Sequence, residues 1–527
     1  MHTPSGSRPA QQNTAHHASF KQVAPVLGAA LLIGTCGGFA LATVLTLTPI
    51  LGLVTGPWWL AVAQAHGHLQ LYGWAGLFVI GVALHFVPRL RGNPLALPRL
   101  VPWLLRALVA GLLLRALCQP LATLSNAIAW RVGLIASGVL EGAALLGIAI
   151  LIALTLKNGP KLALRPAFRG VFPLIAGAFA ALTLAGLVNL LNVFLADAGM
   201  VVSADDALNV TLGLFGFLVP MTLAMSAQAL PMYAGLDAFP RKALWPLASI
   251  YFVGFVLFCL GTPGLLPSTS LASSIGSLGM LLVGMAILMF ISVFLSLMQK
   301  RGRLPKRVAA LAPQPHALAR SYRAKVAQER SAFGPFVALI ASAYLWALLA
   351  GLFLVVDGIT LLVGGGPPFA LDAIRHSLAL GFIALLICGI APRLITGFSG
   401  GHIVSPRLVT ATLWLGNAAA LLRIGAILAM SPLSSVSVVG VSLDALVFGL
   451  SGPTGLALAV CLTINLWPAL RPPHPSGGGP QGDSRTEQRH THLCWLHGAS
   501  VQKTGLLRSI DLACLQRLMR YVYNRNA

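Results

Sequence analysis

The sequence predicts an all-α, polytopic membrane protein of about 12 transmembrane helices. Three observations carry that expectation. Of the 527 residues 57% are hydrophobic and only 9% charged, whereas soluble domains carry about 25% charged residues. The apolar residues fall in runs of about 20 or more, enough to cross a hydrocarbon core of about 30 Å at about 1.5 Å per residue. The basic residues fall in every second loop and in the two tails, and so on one side of the membrane.

Helices are expected near residues 25–50, 59–88, 101–118, 131–156, 171–196, 208–233, 243–263, 272–298, 333–356, 370–391, 408–430 and 441–469. With the N-terminus inside, cytoplasmic segments hold 30 of the 35 Lys and Arg, including nine after the eighth helix and eight in the C-terminal tail. The other five, Arg106, Arg115, Arg131, Arg375 and Arg423, lie in or at the edge of helices. Both termini are therefore expected in the cytoplasm of a cell with this protein in its inner membrane. The net charge of +23 follows from that asymmetry, so no nucleic-acid partner is expected.

Three parts are expected: a polar tail at 1–24, a membrane domain at 25–470, and a C-terminal tail at 471–527. The basic loop 299–331 is suited to anionic headgroups, and Leu506–Tyr523 to a short amphipathic helix. The first 22 residues contain no apolar core or small-residue cleavage site, so the first hydrophobic segment reads as a helix rather than a signal peptide. The seven cysteines form no CxxC pair and read as reduced thiols.

The even-numbered helices carry a weak repeat. The second reads His68-x4-Gly73-x7-Gly81 and ends in Pro88-Arg89-Leu90-x-Gly92; the tenth reads His376-x4-Gly381-x7-Gly389 and ends in Pro392-Arg393-Leu394-x-x-Gly397. The sixth keeps the frame with Gly216, Pro231 and Gly235 but has Thr211 in place of the histidine. Because these helices are four apart, three four-helix units around a pseudo-threefold centre are expected.

The repeat places His68 and His376 at similar depth in the outer third of the bilayer. Buried imidazoles are costly in lipid and face the bundle interior, and two of them from two helices suit the axial positions of a haem iron. A haem b between helices two and ten, held by His376 and by a histidine of the His66-Gly67-His68 run, with His68 read before His66, is the reading. His66 stands two residues from His68 and points to the opposite side of a regular helix, so it belongs to a second haem or metal site unless the helix is distorted. His85 lies roughly 25 Å down the same helix, where His402 is the nearest candidate partner for a metal; both read first as packing residues. Arg375 has two readings, a partner for haem propionates or for Asp372. Glu141 and Arg115, at comparable depth, read as an ion pair first and a proton path second. Met221, Met225 and Met232 read as core rather than as sulfur ligands.

These residues also resemble a known family. The run Ala65-His66-Gly67-His68-Leu69-Gln70-Leu71-Tyr72-Gly73, the closing Val87-Pro88 with Gly92, the Ala229-Leu230-Pro231-Met232-Tyr233 end of the sixth helix, and Arg375-His376 through Gly381 with Gly397 and Gly400 are similar to the NnrS family over roughly residues 25–470. The resemblance implies twelve helices, haem and copper, and a role in the bacterial response to nitric oxide. Two departures stand out. Phe398 and Leu230 occupy positions where members often carry a histidine and an arginine. They put a cytoplasmic-side metal site in doubt.

Two other classes fit the pattern. A degenerate relative of haem-copper oxidase subunit I shares twelve helices with low-spin haem ligands on helices two and ten, but residues 208–263 contain no histidine for the second metal of such an oxidase. A cofactor-free transporter fits the helices and leaves the histidines without a role. No catalytic residue, electron donor or redox partner is read from the sequence.

Overall fold

A computed structural model of the chain describes residues 8–471 except 126, 234–235, 237, 301–327, 329, 434–436 and 439–440. The C-terminal tail beyond 471 and most of the basic loop lie outside the described residues. Among those described, twelve helices are long and apolar enough to cross a membrane: α1 (Phe20–Ile50), α2 (Pro57–Arg91), α3 (Pro98–Leu124), α4 (Ile128–Lys157), α5 (Pro166–Leu195), α6 (Ser203–Pro231), α7 (Arg241–Leu260), α8 (Thr269–Gln299), α9 (Phe336–Leu362), α10 (Leu371–Ser399), α11 (Pro406–Leu428) and α12 (Leu443–Leu470). The fold class is the expected one. The only strand pair in the described residues is a two-residue ladder, Ser437–Val438 with Val441–Ser442, between α11 and α12.

The apolar runs set both where the helices form and which faces are buried. The apolar stretches of α2, α6 and α10 are 94%, 89% and 78% buried, against at most 56% in the other nine, so these three are the centre of the bundle. Around them α3, α4 and α5 pack in sequence, α7, α8 and α9 do the same, and α11 packs on α12, which closes the ring against α1. The outer faces carry exposed residues such as Leu117, Ile150, Leu191, Val253 and Leu352. A contiguous apolar surface of that kind is stable only in lipid.

Several helices overrun their expected ends: helical backbone begins at Arg8, inside the expected polar tail, rather than near residue 25, α10 ends at Ser399 rather than near 391, and α3 passes its expected end by six residues. The apolar run was expected to stop near Cys118, before Pro120, but the helix runs through that proline to Leu124. In a membrane helix neighbouring groups can take up the carbonyl that proline leaves unbonded.

The repeat has a backbone counterpart. α2, α6 and α10 each turn into π-helix, over Leu69–Trp74, Leu212–Leu218 and Ser377–Ala384. Each wide turn begins directly after the repeat position: His68, Thr211 and His376. A fourth lies in α1 at Gly34–Gly38. π-turns are rare, occur most often at functional sites, and shift the phase of the helix beyond them by about one residue. The helix ends match less well. Gly92, at φ 72°, caps α2 in the left-handed conformation that glycine takes without strain, whereas α10 runs past Gly397 and is capped by Gly400 at φ 70°.

Candidate functional site

α1, α2, α6, α10, α11 and α12 enclose a cavity of about 380 Å³, within the range of about 300–1,000 Å³ typical of ligand sites. Its walls include His66 and Gly67 from α2, Asp206 from α6, Arg375 and His376 from α10, and Arg423 from α11. Much of the remaining wall is apolar, with Phe39, Trp59, Trp74 and Phe448 among its residues.

Local backbone geometry fixes both imidazoles. The Nδ1 of His66 lies 2.8 Å from the carbonyl oxygen of Gly38, at the end of the π-turn in α1. That of His376 lies 2.9 Å from the carbonyl oxygen of Asp372, one helical turn earlier, and 3.2 Å from Asp372 Oδ1. Carbonyl oxygens only accept, so Nδ1 carries a proton in both rings, and in the neutral form of such a ring the lone pair is on Nε2. This is the arrangement a metal-binding histidine needs, with one nitrogen anchored to the protein and the other left to the ligand.

The charged residues of this wall are partly paired. Arg423 donates to Asp372 Oδ2 at 2.9 Å, and its guanidinium lies 4.7 Å from the centre of the Phe448 ring. Arg375 donates a long 3.4 Å bond to the carbonyl of Ala207. The Nε atoms of both arginines are buried without a hydrogen-bond partner, which in a site lined by apolar groups marks them as donors for an anionic group. Of the two readings of Arg375, the one with Asp372 holds as a charge interaction through space, while the direct bonds to Asp372 come from Arg423 and His376.

His68 stands elsewhere. It is 2% exposed, and its Nδ1 lies 2.9 Å from Oε2 of Glu141 in α4. The two imidazoles of the His-Gly-His run therefore part, as about 100° of rotation per residue dictates. The structure brings His66, not His68, into the cavity with His376.

Glu141 and Arg115 do not form the direct ion pair expected of them. Asn189 stands between, accepting from Arg115 Nη1 at 2.9 Å and donating to Glu141 Oε2 at 3.3 Å. Arg115 also donates to Gln119, which donates to Gln64 on the cavity wall. A buried polar chain thus links the cavity to His68, and a fully buried cation and anion are shared through neutral amides.

At the other end of α2, His85 is 4% exposed and stacks on Phe398 with 3.6 Å between ring centres. His402 is exposed. Phe398 thus fills, against His85, the position where the resembling family often has a histidine. Met221 lies in the core, Met225 packs against it, and the side chain of Met232 lies outside the described residues. Among the described residues no three His, Cys, Asp or Glu side chains gather as a metal site.

Sequence reasoning missed Gly38 and the roles of Asp372 and Arg423. The last two left signals: Asp372 is four residues before His376, the spacing at which helical side chains meet, and Arg423 is a charge within a membrane span. Gly38 acts through its backbone and left none.

No protein-family model matches the chain, and no curated protein matches it by sequence. Similar solved structures include a haem-copper terminal oxidase dimer determined by cryo-electron microscopy, with a TM-score of 0.58, 13% sequence identity, and coverage of 96% of this chain and 98% of that one. A likeness at that identity is one of fold, and it extends over nearly the whole of both chains. The chain has the membrane fold of a haem-copper terminal oxidase.

Proposed function

We propose that the protein is a haem-binding redox protein of the bacterial inner membrane, of the NnrS type, acting in the response to nitric oxide, with both termini in the cytoplasm. The observation that carries this reading is that His66 and His376, from two central helices, line one cavity with Nδ1 of each anchored to a backbone carbonyl. The residues fit a haem b. His66 and His376 would supply its nitrogen ligands, the apolar wall would suit a macrocycle, and the buried Nε donors of Arg375 and Arg423 would suit its carboxylates. Iron bound there supplies one-electron chemistry and a position for a small molecule such as nitric oxide. His66 takes the ligand role first read for His68, which is occupied with Glu141.

The fold of a haem-copper terminal oxidase supports redox use of this cavity, and the Lys and Arg distribution supports the orientation. Oxygen reduction of that oxidase type is not part of the proposal, because residues 208–263 contain no histidine. Copper is assigned no site here, and His85, facing Phe398, is left out with His402. A cofactor-free transporter leaves the two anchored imidazoles unexplained. The test is the absorption spectrum of the purified protein, oxidised and then dithionite-reduced. A six-coordinate b-type spectrum is expected, and its absence from protein grown with ample haem overturns the reading.

A further inference from the structure

The two imidazoles on the cavity wall are held unequally. His66 Nδ1 donates to one neutral carbonyl oxygen, that of Gly38 at 2.8 Å. His376 Nδ1 is held by two oxygens of one residue, the Asp372 carbonyl at 2.9 Å and its carboxylate Oδ1 at 3.2 Å. The carboxylate is in turn clamped by Arg423 at 2.9 Å from the neighbouring helix. A hydrogen bond to a carboxylate makes an imidazole a stronger donor to a metal and fixes its ring.

The space around the two rings is unequal too. Gly67, beside His66, lines the cavity, and a Cβ built on it meets nothing within 4 Å. The residue after His376 is Ser377, which is fully buried with its hydroxyl bonded to the Ala373 carbonyl. The chain beside His66 thus leaves open space at the cavity wall, whereas the residue after His376 is packed.

Resting on the haem reading above, we propose that Asp372, clamped by Arg423, is a positioning residue that makes His376 the permanent ligand and His66 the exchangeable one. A small uncharged diatomic with a lone pair would be accommodated on the His66 side of the cavity, beside Gly67. The protein atoms that move are the His66 ring and its bond to Gly38. No proton is lost, since Nδ1 would keep its hydrogen when its bond to Gly38 breaks and Nε2 would keep its lone pair.

The experiment uses the purified, haem-loaded full chain, with carbon monoxide as the probe and the reduction midpoint potential as a second readout. In the reduced parent, the rate of carbon monoxide binding should level off at high concentration, because departure of His66 becomes limiting. In His66→Ala it should rise in proportion to concentration and give the same final spectrum. Asp372→Asn should raise the midpoint potential and cost about 10–100-fold in haem retention, and Asp372→Glu should restore both. Asp206→Asn, which removes a carboxylate of the same cavity, should move the potential less than Asp372→Asn. Both variants are checked by size-exclusion profile and helical content. A haem-bearing parent that binds no carbon monoxide, a His66→Ala adduct with a different spectrum, or equal shifts in Asp372→Asn and Asp206→Asn overturns this inference alone. A parent with no haem overturns the functional reading and this inference together.

Discussion

His66 on α2 and His376 on α10 line one cavity, and each donates its Nδ1 proton to a backbone carbonyl, that of Gly38 at 2.8 Å and of Asp372 at 2.9 Å. These bonds orient both rings, His376 through two oxygens of Asp372 and His66 through one, so Nε2 of each has a preferred place. Pre-set imidazoles lower the ordering cost of binding a rigid group between helices.

The first prediction concerns His68, which serves the bundle rather than the cavity. Its bond to Glu141 is one of two from side chains to a carboxylate that is fully buried, and Glu141 Oε1 has no partner. His68→Ala should lower stability by about 1–3 kcal/mol, read as an earlier thermal transition in detergent, while a haem spectrum persists in the folded fraction. An unchanged transition contradicts this role.

Orientation is the second prediction. A reporter fused after Lys306 should report cytoplasm and one inserted after Gly199, between α5 and α6, should report the opposite side, because Lys and Arg are so unevenly distributed. The reverse pattern, or the same side for both, contradicts the proposed topology.

The third prediction separates this chain from the oxidases whose fold it shares. With no histidine at residues 208–263, the protein supplied with oxygen and an artificial reductant should consume oxygen negligibly beside a terminal oxidase. Rapid consumption that is absent from protein-free controls contradicts the single-site reading.

The fold was legible because a bilayer imposes its thickness on the sequence: α1 to α12 are apolar runs separated by polar or basic loops. The frame of the repeat was legible as well. His68, Thr211 and His376, aligned by the spacing of glycines and of the prolines at the helix ends, each precede a π-turn. The side of α2 that faces the cavity was not legible. Periodicity shows that His66 and His68 point apart but not which neighbour stands on each side. The clue was Glu141, a buried carboxylate in need of a hydrogen-bond donor, which was assigned to Arg115 because opposite charges attract; Asn189 separates them and His68 takes the position. Likewise Arg423 and Asp372 are 51 residues apart in sequence, and only the packing of α10 on α11 brings them to one bond.

The most direct test is a comparison of reduced-minus-oxidised absorption spectra of the parent, His66→Ala, His376→Ala and His68→Ala, each purified from cells supplied with haem. A six-coordinate b-type signal is expected in the parent and in the folded fraction of His68→Ala. It should be lost or turned five-coordinate and high-spin in both His66→Ala and His376→Ala, because losing one axial imidazole leaves the iron weakly held. A signal that survives unchanged in His66→Ala and disappears in His68→Ala contradicts the assignment of the cavity as the haem site.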